Sequence, residues 1–452
     1  MADSLLSVGL DVGTTSTQMV VSRLRIQNRA SSFAVPELEI SEREILYQSP
    51  VYFTPLLEEK RMDAAALREI VEREYHSAGI RREDVDTGAV IVTGETSRKE
   101  NAAAVMEALS DLAGDFVVAA AGPDLESVLA ARGAGAVAYS EETGETVLHM
   151  DIGGGTCNLA LIRSGAVAAT GCLNVGGRLV KLDKTGEITY LSPVLDGIFQ
   201  GKVGQVLTKE QASELTKLLA QVMEMAAGLH TPDALLQKLT TQEAMHALPL
   251  HQPGENVTLS FSGGVADCIE AEHPWLEYGD LGPLLGKAIR ESRLCAGKYI
   301  LGQQTIRATV IGAGCHSAQL SGSTVFCQNV RLPLKNVPVI TREAERAMQE
   351  GNVFLALTGS PSPKYAEVAA MADRLARELT SPIYLCIEQD MAKALGQALA
   401  LRLGKDAEIL CIDRVKVTDG SYLDVGAPVG PAFPVVVKTL ILQSTPTKRR
   451  VS

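Results

Sequence analysis

Residues 146–163 read TVLHMDIGGGTCNLALIR, and the fold turns on how this stretch is read. Thr146 to Ile152 has the apolar, β-branched character of a strand, Gly153-Gly154-Gly155-Thr156 that of a turn, and Asn158 to Arg163 that of a second strand. Three consecutive glycines at a strand end are costly in folding entropy, so plain hairpins seldom use them. A backbone bare of side chains can instead wrap a phosphoryl group with converging N–H donors. Asp151, at the end of the first strand, cannot touch phosphate without repulsion. It can hold Mg²⁺ or the water shell of an ion that dehydrates reluctantly.

Toward the N-terminus the same pattern occurs once more. The apolar run Ser7 to Val12 leads into Gly13-Thr14-Thr15-Ser16-Thr17 and then the apolar run Gln18 to Leu24. Each unit carries Asp, one residue, then Gly at its turn: Asp11-Val12-Gly13 and Asp151-Ile152-Gly153. Taken singly, the first turn is equally an ordinary hairpin. Two such units, at 8–24 and 147–163, point to two related lobes with phosphates held between Gly13, Thr14, Thr15 and Thr17 on one side and Gly153, Gly154, Gly155 and Thr156 on the other. Asp11 and Asp151 are the candidate catalytic and Mg²⁺-shell carboxylates.

Toward the C-terminus, the strand Val257 to Phe261 runs into Ser262-Gly263-Gly264. Here Gly263 and Gly264 leave room for an adenine and ribose to lie flat against backbone. The strand Ala89 to Val92 ends in Thr93-Gly94-Glu95, where the Glu95 carboxylate either orders an attacking water or is a solvated turn residue. His149 reads as a packing residue of its strand rather than an acid–base group, and His316 has no second ligand at metal spacing.

Competing motifs fail. Gly282 to Ala288 is one residue short of a Walker A spacing and lacks Ser or Thr after Lys287. Gly133 to Ala138 has dinucleotide-fingerprint glycines, but inside the helix expected over Asp124 to Tyr139. Gly312-Ala313-Gly314 follows an expected strand at Arg307 to Ile311, yet Ser317 replaces the third glycine.

Composition narrows the classes further. With 452 residues, 46% hydrophobic and only 4% aromatic, the chain is an α/β protein of two to four domains with an aliphatic core. A net charge of −12 argues against nucleic acid or an anionic membrane as the main partner. None of the eight cysteines form C-x-x-C, so free thiols in a reducing cytosol are expected. No apolar run reaches membrane-spanning length, and the N-terminus has no signal-peptide pattern.

These turns, in this order, resemble the actin–Hsp70–sugar kinase superfamily. Leu10 to Thr17 looks like its first phosphate motif, Asp151 to Thr156 like its second, and Ser262-Gly263-Gly264 like its adenosine motif. The helices around Gly133 to Tyr139 and Gly279 to Ile289 look like its two connecting helices. The resemblance covers residues 1–293. More narrowly, the chain resembles the ethanolamine ammonia-lyase reactivating factors, the EutA family, through Val8 to Thr17, Thr93-Gly94-Glu95 with Arg98 to Asn101, Gly279 to Gly286, and Val437 to Leu440. That resemblance implies a chaperone-like ATPase requiring ATP and Mg²⁺. Its partner would be the inactivated, cobalamin-bound lyase, from which it releases damaged cobalamin. The implied location is the cytoplasm, in association with a bacterial microcompartment. It leaves the oligomeric state open, a homodimer included.

The expected organisation is a two-lobed actin-like ATPase with ribonuclease H-like lobes: lobe I over 1–145, lobe II over 146–299, and an additional C-terminal α/β module over 300–452. The module either grips the target or stabilises lobe II. A small-molecule kinase of the same fold would need a substrate cleft with its own Asp base. An iron–sulfur activator of another radical enzyme would need paired cysteines at a dimer interface. Neither has a convincing motif here, and a nucleotide-binding scaffold without turnover is the third alternative.

Overall fold

The computed structural model describes residues 4–13, 16–28, 38–58, 61–92, 105, 109, 118–120, 123–241, 246–251, 254–302, 305, 307–316, 318–320, 325–340, 352–415, 417, 421–426, 428 and 433–439. Two mixed sheets form its first two-thirds. Sheet I comprises β1 (Ser4–Val12), β2 (Ser16–Asn28), β3 (Leu38–Gln48), β4 (Thr87–Val92) and β5 (Val118–Ala120), in the order β3-β2-β1-β4-β5, with the short strand Tyr52–Phe53 also paired antiparallel to the start of β2. Sheet II comprises β6 (Val147–Ile152), β7 (Cys157–Arg163), β8 (Ala166–Leu173), β9 (Thr258–Ser262) and β10 (Tyr299–Leu301), in the order β8-β7-β6-β9-β10. In both, the first three strands pair antiparallel and the fourth adds parallel to the first. The two sheets are one topology built twice, as the twin turns imply.

Each sheet is covered by helices. On lobe I, α1 (Ala64–Ala78) starts where Asp63 accepts from the N–H groups of Ala65 and Ala66 and stops at Gly79, whose φ of 67° a side chain would strain. Its Leu67 and Val71 join Val8, Leu10, Met19 and Val90 in the core. Three further helices follow: α2 (Pro123–Gly133), α3 (Ala136–Thr143) and, on lobe II, α4 (Lys209–Ala226), opened by a Thr208/Gln211 capping box. The single helix expected over 124–139 is broken, because Gly135 sits at φ 82° and its neighbours start a new axis.

Two expectations are corrected by the helices that join the lobes. Residues 308–316 form a helix, not a strand and glycine turn; with α5 (Ala234–Leu239) and α6 (Gly282–Arg290) before it, it is α7 (Ala308–His316). α2 packs on sheet II, α7 packs on sheet I, and the two helices pack on each other. Glycine makes this crossing possible. A methyl on Gly133 would collide with the Ala308 carbonyl, and one on Gly312 with the Leu129 carbonyl. α6, expected as the second connecting helix, instead packs on α4 within the lobe II core. For the module expected from residue 300 we propose a later start. β10 completes sheet II and α7 covers sheet I, so we place the start of the C-terminal module after His316.

That module is an eight-stranded sheet of β11 (Ala318–Leu320), β12 (Phe326–Gln328), β13 (Leu334–Ile340), β14 (Phe354–Leu357), β15 (Ile383–Ile387), β16 (Ile409–Asp413), β17 (Ser421–Val425) and β18 (Pro434–Thr439), ordered β11-β18-β17-β13-β14-β15-β16-β12. β13 to β16 run parallel, with α8 (Tyr365–Glu378) between β14 and β15 and α9 (Ala392–Leu403) between β15 and β16. It has its own core around Val368, Leu375, Leu385, Leu395 and Ile409. Among the described residues no helix is long and apolar enough to cross a membrane.

Candidate functional site

Hairpin geometry brings the two glycine turns to the same place on their sheets. In lobe I the Gly13 N–H donates to the Ser16 carbonyl at 2.8 Å, and in lobe II the Gly153 N–H donates to the Thr156 carbonyl at 2.9 Å. Asp11 stands opposite Gln18 on β2, and Asp151 opposite Asn158 on β7. A cleft of about 270 Å³ lies between them, lined by Asp11, Gly13, Ser16 and Gln18 from one lobe and by Asp151, Gly153 to Thr156, Gly263 and Gly264 from the other. The carboxylates and glycines singled out in three separate stretches of sequence therefore share one cavity.

Not every candidate faces it. Thr17 is buried behind the lobe I turn, its hydroxyl 3.1 Å from that of Thr54, which donates to the Gly13 carbonyl at 2.7 Å. Its place is that of a support for the turn rather than a wall of the cleft. Thr14, Thr15 and Glu95 lie outside the described residues.

The lobe II turn has a more elaborate backing. The Arg178 N–H donates to the Gly154 carbonyl at 2.7 Å and the Gly177 N–H to the Gly153 carbonyl at 3.0 Å. Gly176 lies so close that a methyl there would collide with the Gly154 carbonyl. Gly263, at φ 87°, packs against the Ile152 carbonyl, which leaves no room for a side chain. Gly155, in contrast, has open space where a Cβ would stand, so its backbone presents itself to the cleft.

The electrostatics follow from burial. Asp151 accepts hydrogen bonds from Ser262 Oγ and, at 3.5 Å, from Thr309 Oγ1, yet loss of solvent outweighs both and raises its pKa to about 6. Behind it, His149 bridges Ser260 Oγ and Ser262 Oγ, each at 3.0 Å, and burial pushes its pKa down to about 3. His149 is thus neutral and orients Ser262 toward Asp151. Asp267 and Asp280, also at the cleft, are raised by burial as well. Among the described residues no cluster of three or more His, Cys, Asp or Glu side chains could hold a metal ion by itself. Two carboxylates from opposite lobes suit a Mg²⁺ that keeps much of its water and arrives with a phosphate-bearing ligand.

Sequence reasoning missed Gly177, Arg178, Asp267, Tyr278, Asp280 and Thr309, which also line the cleft. A signal for the first two was present: Gly176-Gly177-Arg178 is a second glycine pair after a strand, followed by a cation. Asp280 lies in the Gly279 to Gly286 stretch that carries the family resemblance, and Asp267, Tyr278 and Thr309 have no signature apart from the fold.

Twin sheets joined by reciprocal helices, with an Asp-bearing glycine turn from each meeting in one cleft, define a two-lobed α/β protein of the actin–Hsp70–sugar kinase type. The EutA family model, described as "Ethanolamine utilisation protein EutA", matches residues 3–352 and 345–443, and the chain belongs to that family. It is 40% identical over 471 aligned positions to the ethanolamine ammonia-lyase reactivase EutA of Escherichia coli (strain K12), with 97% of this chain and 99% of that protein covered. The protein of the same name from Salmonella typhimurium (strain LT2) is 39% identical over the same span. Among solved structures, a Ppx/GppA family member from Aquifex aeolicus aligns with 68% of this chain and 95% of its own at 14% identity, with a TM-score of 0.42.

Proposed function

We propose that this chain binds MgATP in the interlobe cleft and uses its hydrolysis to reactivate ethanolamine ammonia-lyase by releasing damaged cobalamin. The observation that carries the nucleotide reading is the pair of identically closed glycine turns, each with its aspartate, facing one cavity. The target comes from the family, whose curated relatives are named as reactivases of that lyase.

The N–H groups of Gly154 and Gly155 would hold phosphate oxygens, and Asp11 and Asp151 would hold Mg²⁺ through its water shell. Gly263 and Gly264, beside Val265 and Tyr278, would take the adenosine. Bound MgATP supplies the scissile phosphoryl group and a divalent charge. The protein's share is positioning and charge neutralisation, which suffices for phosphoryl transfer. Asp151 serves as a carboxylate, and Ser262, backed by neutral His149, fixes its orientation. Glu95 is the proposed residue that orders the attacking water. A two-lobed protein binds its partner differently with ATP and with ADP, and only that difference can drive the partner's change. The C-terminal module, which has its own core, is the proposed grip on the lyase. Its place of action is the cytoplasm, in association with the microcompartment of ethanolamine degradation.

The test is ATP hydrolysis by the purified chain with and without inactivated, cobalamin-loaded lyase, alongside recovery of lyase activity. Expected are slow turnover alone and restored lyase only with ATP and Mg²⁺. Restoration without nucleotide would end the proposal.

A further inference from the structure

Phe53 is 80% exposed, yet the backbone that carries it is firmly held on lobe I. Tyr52 before it donates its hydroxyl to Glu74, Thr54 after it donates to the Gly13 carbonyl, and Phe53 itself pairs in strand register with Ser16. The ring therefore stands beside the lobe I glycine turn. Its neighbour comes from the other lobe: the Arg178 guanidinium carbon lies 5.5 Å from the ring centroid.

Arg178 is tied just as closely to the lobe II turn, through its N–H on the Gly154 carbonyl. Its Nε donates to Asp280 Oδ2 at 3.0 Å, and among the described residues neither Nη has a hydrogen-bond partner. It is also the one cation among the described residues lining the cleft, where Asp11, Glu126, Asp151, Asp267 and Asp280 are all acidic. Phosphates entering so acidic a cleft need a donor fork of opposite charge, and a guanidinium matches phosphate oxygens with its edge while stacking on an aromatic ring with its face.

We infer that Arg178 is a positioning residue that reads the terminal phosphate of the bound nucleotide and, through Phe53, couples its presence to closure of the two lobes. The inference rests on the nucleotide reading of the cleft. With a triphosphate bound, the Nη edge and the ring face are both engaged, and the contact spans lobe II turn, guanidinium, ring and lobe I turn. With a diphosphate, the edge lacks its partner, Asp280 alone holds the side chain, and the closed state loses its added affinity.

Calorimetry of a non-hydrolysable ATP analogue and of ADP, with Mg²⁺, tests this on the full chain. Arg178→Gln should weaken the triphosphate about tenfold or more and ADP no more than about twofold. Phe53→Leu should weaken the triphosphate about threefold with ADP again little changed, and Phe53→Tyr should restore it. The double variant should bind much like Arg178→Gln alone, because both changes break one coupled contact. If Arg178→Gln does not fold, the Phe53→Leu and Phe53→Tyr pair still decides, since that ring is at the surface. Equal losses for the two nucleotides, or additive effects, would overturn the coupling while leaving the cleft reading intact. Failure of the unaltered chain to bind either nucleotide would overturn both.

Discussion

The Gly13–Ser16 turn and the Gly153–Thr156 turn close with the same hydrogen bond and follow the same aspartate, but different material stands behind them. Hydroxyls back the first: Thr54, reaching from the strap over residues 49–54, ties the Gly13 carbonyl to Thr17. Glycines and a buried polar chain back the second: Gly176 and Gly177 press against Gly153 and Gly154, and His149–Ser262 braces Asp151. The repeated topology thus keeps the backbone that lines the cleft while its supports differ. On the proposed nucleotide reading, turn geometry is constrained by what it would hold, and the layer behind only has to keep that geometry.

If the turns are functional equivalents, Asp11→Ala and Asp151→Ala should each lower ATP turnover by about a hundredfold or more, with melting and circular dichroism near those of the unaltered chain. Normal turnover in both well-folded variants would sink the site assignment, and a loss in only one would show that the twin turns have unequal roles.

The same substitution at two glycines separates wall from hinge. Gly312→Val forces a side chain into the Leu129 backbone where α2 crosses α7, and should cost about 3 kcal/mol of stability, read by denaturant unfolding. Gly264→Val, on the cleft wall, should leave stability closer to unchanged and weaken ATP and ADP binding alike. The reverse pattern would move the adenosine site to α7.

The role of Asp151 can also be tested by pH. Burial raises Asp151 from 3.8 to about 6, so between those values the folded chain holds a proton that the unfolded chain has lost. The nucleotide-free protein should therefore lose stability as pH rises from about 4 to about 6, by up to about 2 kcal/mol, and Asp151→Asn should flatten that limb. Mg²⁺-dependent nucleotide affinity should run the other way and fall below about pH 6, since only the carboxylate serves the ion. A limb that persists in Asp151→Asn would assign it to another group.

The smallest effect concerns the lobe I backing. Thr54→Val removes the donor to the Gly13 carbonyl and should cost about 1 kcal/mol, with a modest rise in KM for ATP. No change in either quantity would mean that the turn holds itself.

Local chemistry made much of this legible. A glycine turn between two apolar runs is a short-range pattern, so both twin units and the strand that leads into Ser262-Gly263-Gly264 could be read from the amino acids. Repetition of Asp-x-Gly was enough to imply two lobes of one topology. Residues 307–311, Arg-Ala-Thr-Val-Ile, show the limit. Three β-branched residues before a glycine turn suggest a strand, but so short a run has no decisive preference of its own. The Leu129 carbonyl, nearly two hundred positions earlier in the chain, makes Gly312 part of a helix crossing that carries the packing of the two lobes past residue 300. Arg178 and Phe53 are likewise unremarkable in sequence and meet only because each is pinned beside its own turn. The residues alone were enough for the turns and their flanking strands, because those depend on neighbours along the chain. Which helix joins the lobes, how sheet II is completed and which cation lines the cleft were decided by tertiary packing, because each depends on atoms that only the closed fold brings within contact distance.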